Sequence, residues 1–257
     1  CDLQIPIVAV HGFFASGDAY EALFGKLQAN GYCSEKLYAL DWNSLLGANQ
    51  LFVLEKYIDN VLKENNVDQV YLLGHSLGSE LSYSSLEKTR FASKVKKYVH
   101  LAGFPKDQPA GPNGEIPTLN IFSDADYVVL GDTMPQAENI NYTTLDHYEV
   151  ATSSESFEHI YKFFFDEAPT TTDFEVKEKV QVSGRALSII ENWVSNNANI
   201  RIFEVDPATG FRVREQPDAS ATANIDGYWG PVALSGSKYY EFEVSTGKYN
   251  DVTIHYY

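Results

Sequence analysis

Residues Val67 to Leu81 read VDQVYLLGHSLGSEL. Val70-Tyr71-Leu72-Leu73 is a short apolar run, the pattern of a parallel strand buried on both faces. Gly74-His75-Ser76-Leu77-Gly78 then turns the chain sharply, and a helix is expected from Leu77 to about Lys88. Gly-x-Ser-x-Gly between a strand and a helix is a nucleophile elbow. The tight turn forces the serine into strained backbone angles, and side chains at the glycine positions would collide with the neighbouring strand and helix. The strain lifts the hydroxyl above the sheet edge, at a helix N-terminus whose dipole favours developing negative charge. Three fixed positions make a short motif, so its meaning rests on what flanks it.

Upstream, Ile5–Val10 (IPIVAV) reads as a strand running into His11-Gly12-Phe13-Phe14-Ala15-Ser16-Gly17. A strand followed by His-Gly and small residues resembles the oxyanion loop of lipases and esterases. By position, that resemblance makes Phe13 N–H and Leu77 N–H the donors to a developing oxyanion. His11 is expected to be a hydrogen-bonded structural histidine. Asp18–Gln28 reads as a helix, Leu37–Asp41 as a strand, and Gln50–Lys63 as a helix with Leu51, Leu54, Ile58, Val61 and Leu62 on one face. Lys94–Leu101 and Pro117–Ser123 are further strands, separated by a Pro/Gly-rich loop from Ala102 to Pro117. Asn141–Leu145 is expected as the last strand, and Ser154–Phe165 as an amphipathic helix. Strands alternating with helices predict a mostly parallel sheet covered on both faces.

Downstream of Ser76 come Asp124 and Asp126, then His147, each just past a predicted strand end, where ligand sites form in open α/β sheets. Ser…Asp…His is the triad order of α/β-hydrolases. Ser123-Asp124-Ala125-Asp126-Tyr127-Val128-Val129 resembles the segment that carries the acid in small lipases, and the match selects Asp126, leaving Asp124 as a turn residue. Of six histidines, only His147 lies in a loop after a strand and before the last helix. Asp146 beside it is expected at the surface. On these residues the stretch 5–165 resembles a compact α/β-hydrolase of the small, nearly lidless bacterial lipase type, with six strands. Some of those lipases begin the nucleophile motif with alanine, where this chain has Gly74.

After Glu167-Ala168-Pro169-Thr170-Thr171-Thr172-Asp173 the pattern changes. Short strands are expected at Val180–Val182, Arg185–Ile190, Asn199–Val205, Phe211–Arg214, Ser220–Ile225, Lys238–Val244 and Asp251–Tyr256, separated by Gly, Asp and Pro and with no helix between them. That spacing predicts a β-sandwich. Asp226-Gly227-Tyr228-Trp229-Gly230-Pro231 resembles a turn of prealbumin-like sandwiches, a domain some lipases carry after the hydrolase. The expected organisation is a catalytic domain over 1–168, a linker over 169–174 and a sandwich over 175–257.

Composition narrows the function classes. Of 257 residues, 44% are hydrophobic and 14% aromatic, and the formal net charge is −16. So acidic a chain lacks the basic face that nucleic acid requires and is repelled by anionic membranes. No apolar run approaches the length of a transmembrane span. The chain opens on Cys1, directly before the first strand, as expected of a mature or trimmed form. Cys1 and Cys33 each lie four residues before a predicted strand. Parallel neighbouring strands would bring them together as a disulfide, which implies an oxidising compartment. Two unrelated thiols, or a lipid-modified Cys1, are the alternatives. A secreted or cell-surface protein is the expectation.

The expected activity is hydrolysis of carboxylic esters, of acylglycerols or other fatty-acyl esters, through an acyl-enzyme on Ser76 with Asp126 and His147. Phe14, Phe104, Tyr127, Val128 and Tyr148 are expected at an apolar mouth whose loops hold one cation, Lys106, suiting acyl chains over phosphates or carboxylates. No metal or cofactor is expected, and the expected partner is a lipid ester with transient contact at a lipid interface. The alternatives are a polymer-active esterase guided by the sandwich through Tyr228 and Trp229, or a non-catalytic binding protein on a hydrolase scaffold.

Overall fold

The computed structural model describes residues 1, 3–175, 177–188, 190–246 and 254–256. The chain divides into two compact units, Cys1–Glu175 and Val176–Tyr257.

In the first unit, β1 (Ile7–Val10), β2 (Leu37–Leu40), β3 (Val70–His75), β4 (Val95–Leu101), β5 (Thr118–Ser123) and β6 (Glu138–Tyr142) form one sheet in the order β2-β1-β3-β4-β5-β6. All five pairings are parallel. Every residue of β1 is buried, because its side chains alternate between two cores. Ile7 and Ala9 face α1 (Glu21–Ala29) and α6 (Ser154–Phe165), packing with Leu23, Leu27, Phe157, Ile160 and Phe164. Val8 and Val10 face α2 (Leu51–Asn65) and α3 (Leu77–Leu86), packing with Leu54, Ile58, Val61 and Leu81. Two short helices, α4 (Thr89–Ala92) and α5 (Glu149–Thr152), complete the unit. Among the described residues no helix is long and apolar enough to cross a membrane.

Cys1 and Cys33 form a disulfide with Cα atoms 5.6 Å apart. The parallel register Ile7↔Leu37 brings the starts of β1 and β2 together, so the two cysteines meet at the same sheet end. Closing a loop of this length contributes about 3–4 kcal/mol in the chain-entropy model. Residues 169–174, the expected linker, fall in the first unit and are tied to the end of α1. Asn30 Oδ1 accepts from the amides of Thr170 and Thr171, and Asn30 Nδ2 donates to Thr171 O.

One strand of this unit lies elsewhere than the sequence indicated. The expected strand Asn141–Leu145 runs instead as β6, Glu138–Tyr142. It is an edge strand, so its pattern is mostly polar. Asn139 on it is held inward by Asn120 and by Met134 and Ala137. Leu145, which looked like the strand's end, packs against the core from the following loop.

The second unit has two antiparallel sheets. β7 (Lys179–Arg185) pairs with β10 (Tyr228–Ser235), and β12 (Ile254–Tyr256), β11 (Tyr239–Ser245), β8 (Asn199–Val205) and β9 (Ala219–Thr222) form the other. Val182 and Leu234 of the first sheet and Ile200 and Ile202 of the second share one core, as a sandwich requires.

Several expected strands are corrected here. Val180–Val182 and Arg185–Ile190 are not two strands split at Gly184: β7 runs unbroken through it. A Cβ on Gly184 would sit 2.9 Å from the Trp229 ring, so the glycine is there for the indole and not for a turn. Among the described residues of the expected strand beyond Arg185, Leu187 makes an isolated bridge to Val194. Tyr228–Pro231, expected as a turn, opens β10. Gly230 and Pro231 fall in the register shift between Trp229 and Val232, where no ladder bond is asked of the proline. Phe211–Arg214 makes one isolated bridge, Arg212 to Val205. Of the expected strand Asp251–Tyr256, residues 251–253 lie outside the described residues, as does the turn glycine Gly247.

Candidate active site

β3 ends at His75 and α3 begins at Leu77, leaving Ser76 alone at the corner. Its φ is 53° and its ψ −125°, a region that costs an L-residue energy. Packing fixes it there. A Cβ on Gly74 would lie 2.7 Å from both Gly78 O and Ser79 Cα, and one on Gly78 would overlap the carbonyls of Val10 and His11. Ser76 N–H donates to Leu101 O at 2.9 Å, stitching the corner to β4.

The His11–Ser16 loop lies against this corner: a Cβ on Gly12 would meet Ser76 Cβ at 2.9 Å. His11 is the hydrogen-bonded structural histidine expected, and two residues absent from the sequence reading, Trp42 and Ser44, shape the loop with it. His11 Nδ1–H donates to Gly12 O at 2.8 Å, and His11 Nε2 accepts from Trp42 N–H at 3.2 Å. Trp42 Nε1–H in turn donates to His11 O at 2.9 Å. Ser44 Oγ accepts from Phe14 N–H at 3.0 Å and holds Phe14 at φ 58°. Among the described residues, neither Phe13 N–H nor Leu77 N–H has an acceptor. Phe13 belongs to the loop that lies against Ser76, and Leu77 opens α3 directly after it.

Asp126 and His147 are joined by a hydrogen bond, His147 Nδ1–H to Asp126 Oδ2, at 2.6 Å. Asp126 is 1% exposed. Its other oxygen accepts from Val128 N–H at 2.8 Å and Val129 N–H at 3.0 Å. A carboxylate so held is bonded on both oxygens and has one direction in which to receive an imidazole. Asp124 faces solvent and takes Asn141 Nδ2 at 3.1 Å, as a turn residue does. Asp146 is exposed, as expected. Its Oδ1 accepts from Glu149 N–H at 2.8 Å while Glu149 Oε2 accepts from Asp146 N–H at 2.9 Å. This reciprocal pair is a capping box, and it fixes the turn that carries His147.

His75 was read only as a filler of the motif. Its Nε2–H donates to His147 O at 2.9 Å, and the two rings lie 4.7 Å apart. Burial, with His147 adding to it, lowers its pKa to about 4. His100, inside β4, contacts Tyr98 Oη at 3.0 Å and Phe104 O at 3.0 Å, and burial lowers it to about 4 as well. Burial lowers His11 too. Between the ordinary value of 6.5 and about 4, the unfolded chain therefore takes up protons that these folded histidines refuse. The sign follows: stability is full above pH ~6.5 and falls with acid, by up to about 1.4 kcal/mol per pH unit per histidine. Thermal unfolding followed from pH 7.5 to 4.5 should show a falling midpoint, with a shallower fall in His100→Gln. A midpoint independent of pH would rule out neutral burial.

The remaining expected residues crowd the same sheet edge. Phe13 and Phe14 are stacked, ring centroids 3.9 Å apart, and each is 52% exposed. Phe104, Tyr127, Val128 and Tyr148 are exposed as well. Lys106, the one cation of these loops, bonds Glu80 at 2.6 Å. Trp229, considered as a surface contact for a polymer, instead packs beside Phe242 over Gly184. Tyr228 stays exposed, with Arg185 over its ring at 5.0 Å.

Six parallel strands, a strained serine after the third and an acid–histidine pair after the fifth and sixth define the architecture. The chain has the α/β-hydrolase fold. Residues 11–105 match the family model described as lecithin:cholesterol acyltransferase, and residues 178–257 match that of the lipase C-terminal domain. Lipase B of Aspergillus fumigatus is similar in structure, with a TM-score of 0.50 at 13% identity over 66% of this chain and 54% of that one. A predicted CIB-like hydrolase from Thermoplasma acidophilum matches with a TM-score of 0.47 at 16% identity, over 64% of this chain and 87% of that one. The chain thus resembles α/β-hydrolase lipases and esterases that carry a C-terminal domain.

Proposed function

We propose that this α/β-hydrolase is a serine carboxylic-ester hydrolase acting on fatty-acyl esters, acylglycerols among them, outside the cytosol. The observation that carries the reading is the Asp126–His147 hydrogen bond of 2.6 Å, on the loop whose His147 carbonyl is bonded by the residue before Ser76.

Ser76 Oγ attacks the ester carbonyl carbon, and its proton passes to His147 Nε2. Nδ1–H, held by Asp126, fixes the tautomer that leaves Nε2 as the base and stabilises the imidazolium that forms. The carbonyl oxygen becomes an oxyanion received by Phe13 N–H and Leu77 N–H, each such donor being worth ~3–4 kcal/mol in the transition state. Collapse breaks the ester C–O bond, and His147 returns the proton to the departing alkoxide. Water, deprotonated by His147, then releases the acid and restores Ser76.

Substrate class follows from the mouth. Phe13, Phe14, Tyr127, Val128 and Tyr148 offer apolar surface to an acyl chain, and the only cation there is neutralised by Glu80. With a net charge of −16, nothing in these loops is suited to bind an anionic head. The Cys1–Cys33 disulfide supports an oxidising, extracellular setting. The test is a series of p-nitrophenyl esters of rising chain length, together with covalent labelling by an alkyl phosphonate mapped by mass spectrometry. Turnover rising from acetyl to longer acyl groups, with the label on Ser76, is expected. Labelling elsewhere, or no turnover of any ester, overturns the proposal.

A further inference from the structure

We propose that His75 is a positioning residue that holds His147 in place for proton transfer, by bonding its carbonyl and backing its ring. The inference rests on the proposed role of His147 as base.

His147 sits in a loop, and a base in a loop needs anchoring on more than one side. Its side chain is held through Nδ1 by Asp126. The turn it belongs to is held by the Asp146–Glu149 capping box. Neither contact fixes the His147 peptide plane against the strand that carries Ser76. His75 does, since it is the last residue of β3 and donates Nε2–H to His147 O at 2.9 Å. Its ring also lies 4.7 Å from the His147 ring. The opposite nitrogen faces the His11–Ser16 loop, where a Cβ on Gly12 would stand 3.3 Å from His75 Nδ1. One side chain, adjacent in sequence to Ser76, thus touches both the loop of the base and the loop of the oxyanion donor. A carbonyl can only accept, so Nε2 must keep its proton. Burial disfavours a second proton on Nδ1 and lowers the His75 pKa to about 4, so His75 stays neutral beside a ring that becomes charged during turnover and adds no repulsion to it.

The variants are His75→Phe, which keeps a ring against His147 but has no N–H, and His75→Gln, whose amide can reach with an N–H to the same carbonyl. His75→Leu is the second deletion variant, used if the phenylalanine chain does not fold. Two readouts are taken on variants with wild-type thermal midpoints. In ester hydrolysis, kcat is expected to fall ~10–100-fold in His75→Phe with KM within about twofold, the usual scale for a slightly misplaced catalytic group. His75→Gln is expected to recover most of it. In proton NMR, the far-downfield resonance of the His147–Asp126 hydrogen bond should be present in the wild type, broadened or lost in His75→Phe and restored in His75→Gln. A His75→Phe chain with wild-type kcat and an unchanged resonance overturns the proposal, as does a glutamine variant no better than phenylalanine. If no ester is turned over but the resonance responds as expected, the assigned reaction fails and the positioning role stands.

Discussion

Ser76→Ala is expected to lower kcat for ester hydrolysis by ~10⁴–10⁶ while leaving the folded chain intact. The rate estimate follows from the role: without Oγ there is no acyl-enzyme, and serine-hydrolase sites lose rates of this order when the nucleophile is removed, with a residual contribution from binding and oxyanion donors. The stability estimate follows from where the strain resides. Ser76 is held at φ 53° by its neighbours, and alanine inherits that backbone and its cost unchanged. The corner is imposed by Gly74 and Gly78, whose missing Cβ atoms let β3, α3 and β1 approach each other, and by Ser76 N–H on Leu101 O. None of these uses the hydroxyl. The thermal midpoint should therefore move by no more than about 1 kcal/mol of stability permits. Equal turnover by wild type and Ser76→Ala would refute the mechanism. A variant that unfolds would show instead that the corner depends on Oγ, against the contacts described.

How far the sequence carried the reading depended on whether a residue's role was local. β3, the Gly74–Gly78 corner and α6 were legible because strand, turn and amphipathic helix each leave a short-range pattern. Phe157, Ile160, Tyr161 and Phe164 all face inward as their spacing indicates. β6 was displaced because an edge strand has no apolar pattern to betray it. The all-β character of the second unit was legible, whereas its strand boundaries were not. In Gly184 and Trp229, a glycine that looked like a turn and an indole that looked like a surface contact are two halves of one packing event, across strands 45 residues apart (229 − 184). In the site, the Ser…Asp…His order stood out because each member follows a strand. Ser44, Trp42 and His75 did not, since their work is to bond the backbone of loops distant in sequence. A histidine inside a motif already assigned gives no separate signal.

The two aspartates after β5 give the second large effect, Asp126→Asn lowering kcat by ~10⁴ and Asp124→Asn changing it by less than about twofold. The two lie two residues apart and are equally charged, and in the sequence only the resemblance to small lipases favoured Asp126. Geometry separates them. Asp126 turns one oxygen to Val128 N–H and Val129 N–H and the other to His147 Nδ1–H. An asparagine there could keep its oxygen on the two amides, but its NH2 group would then meet His147 Nδ1–H as donor against donor. The ring escapes by moving its proton to Nε2, the position that must be free to accept from Ser76, so the base is lost through its tautomer while its place is kept. That is the physical reason such a change costs about four orders of magnitude elsewhere with the geometry intact. Asp124 is exposed and its one side-chain bond, from Asn141, does not touch the site. Steady-state kinetics on both variants decides between them. Loss on Asp124→Asn with retention on Asp126→Asn would reverse the assignment of the acid. Loss on both, with lowered thermal midpoints, would mean that the turn itself had been broken, and the pair Asp126→Glu and Asp124→Ala would then separate charge from fold. The discrimination is sharp because Asp126 is a buried carboxylate whose every partner is a donor, so removing its charge reverses the sense of the hydrogen bond that orients the base.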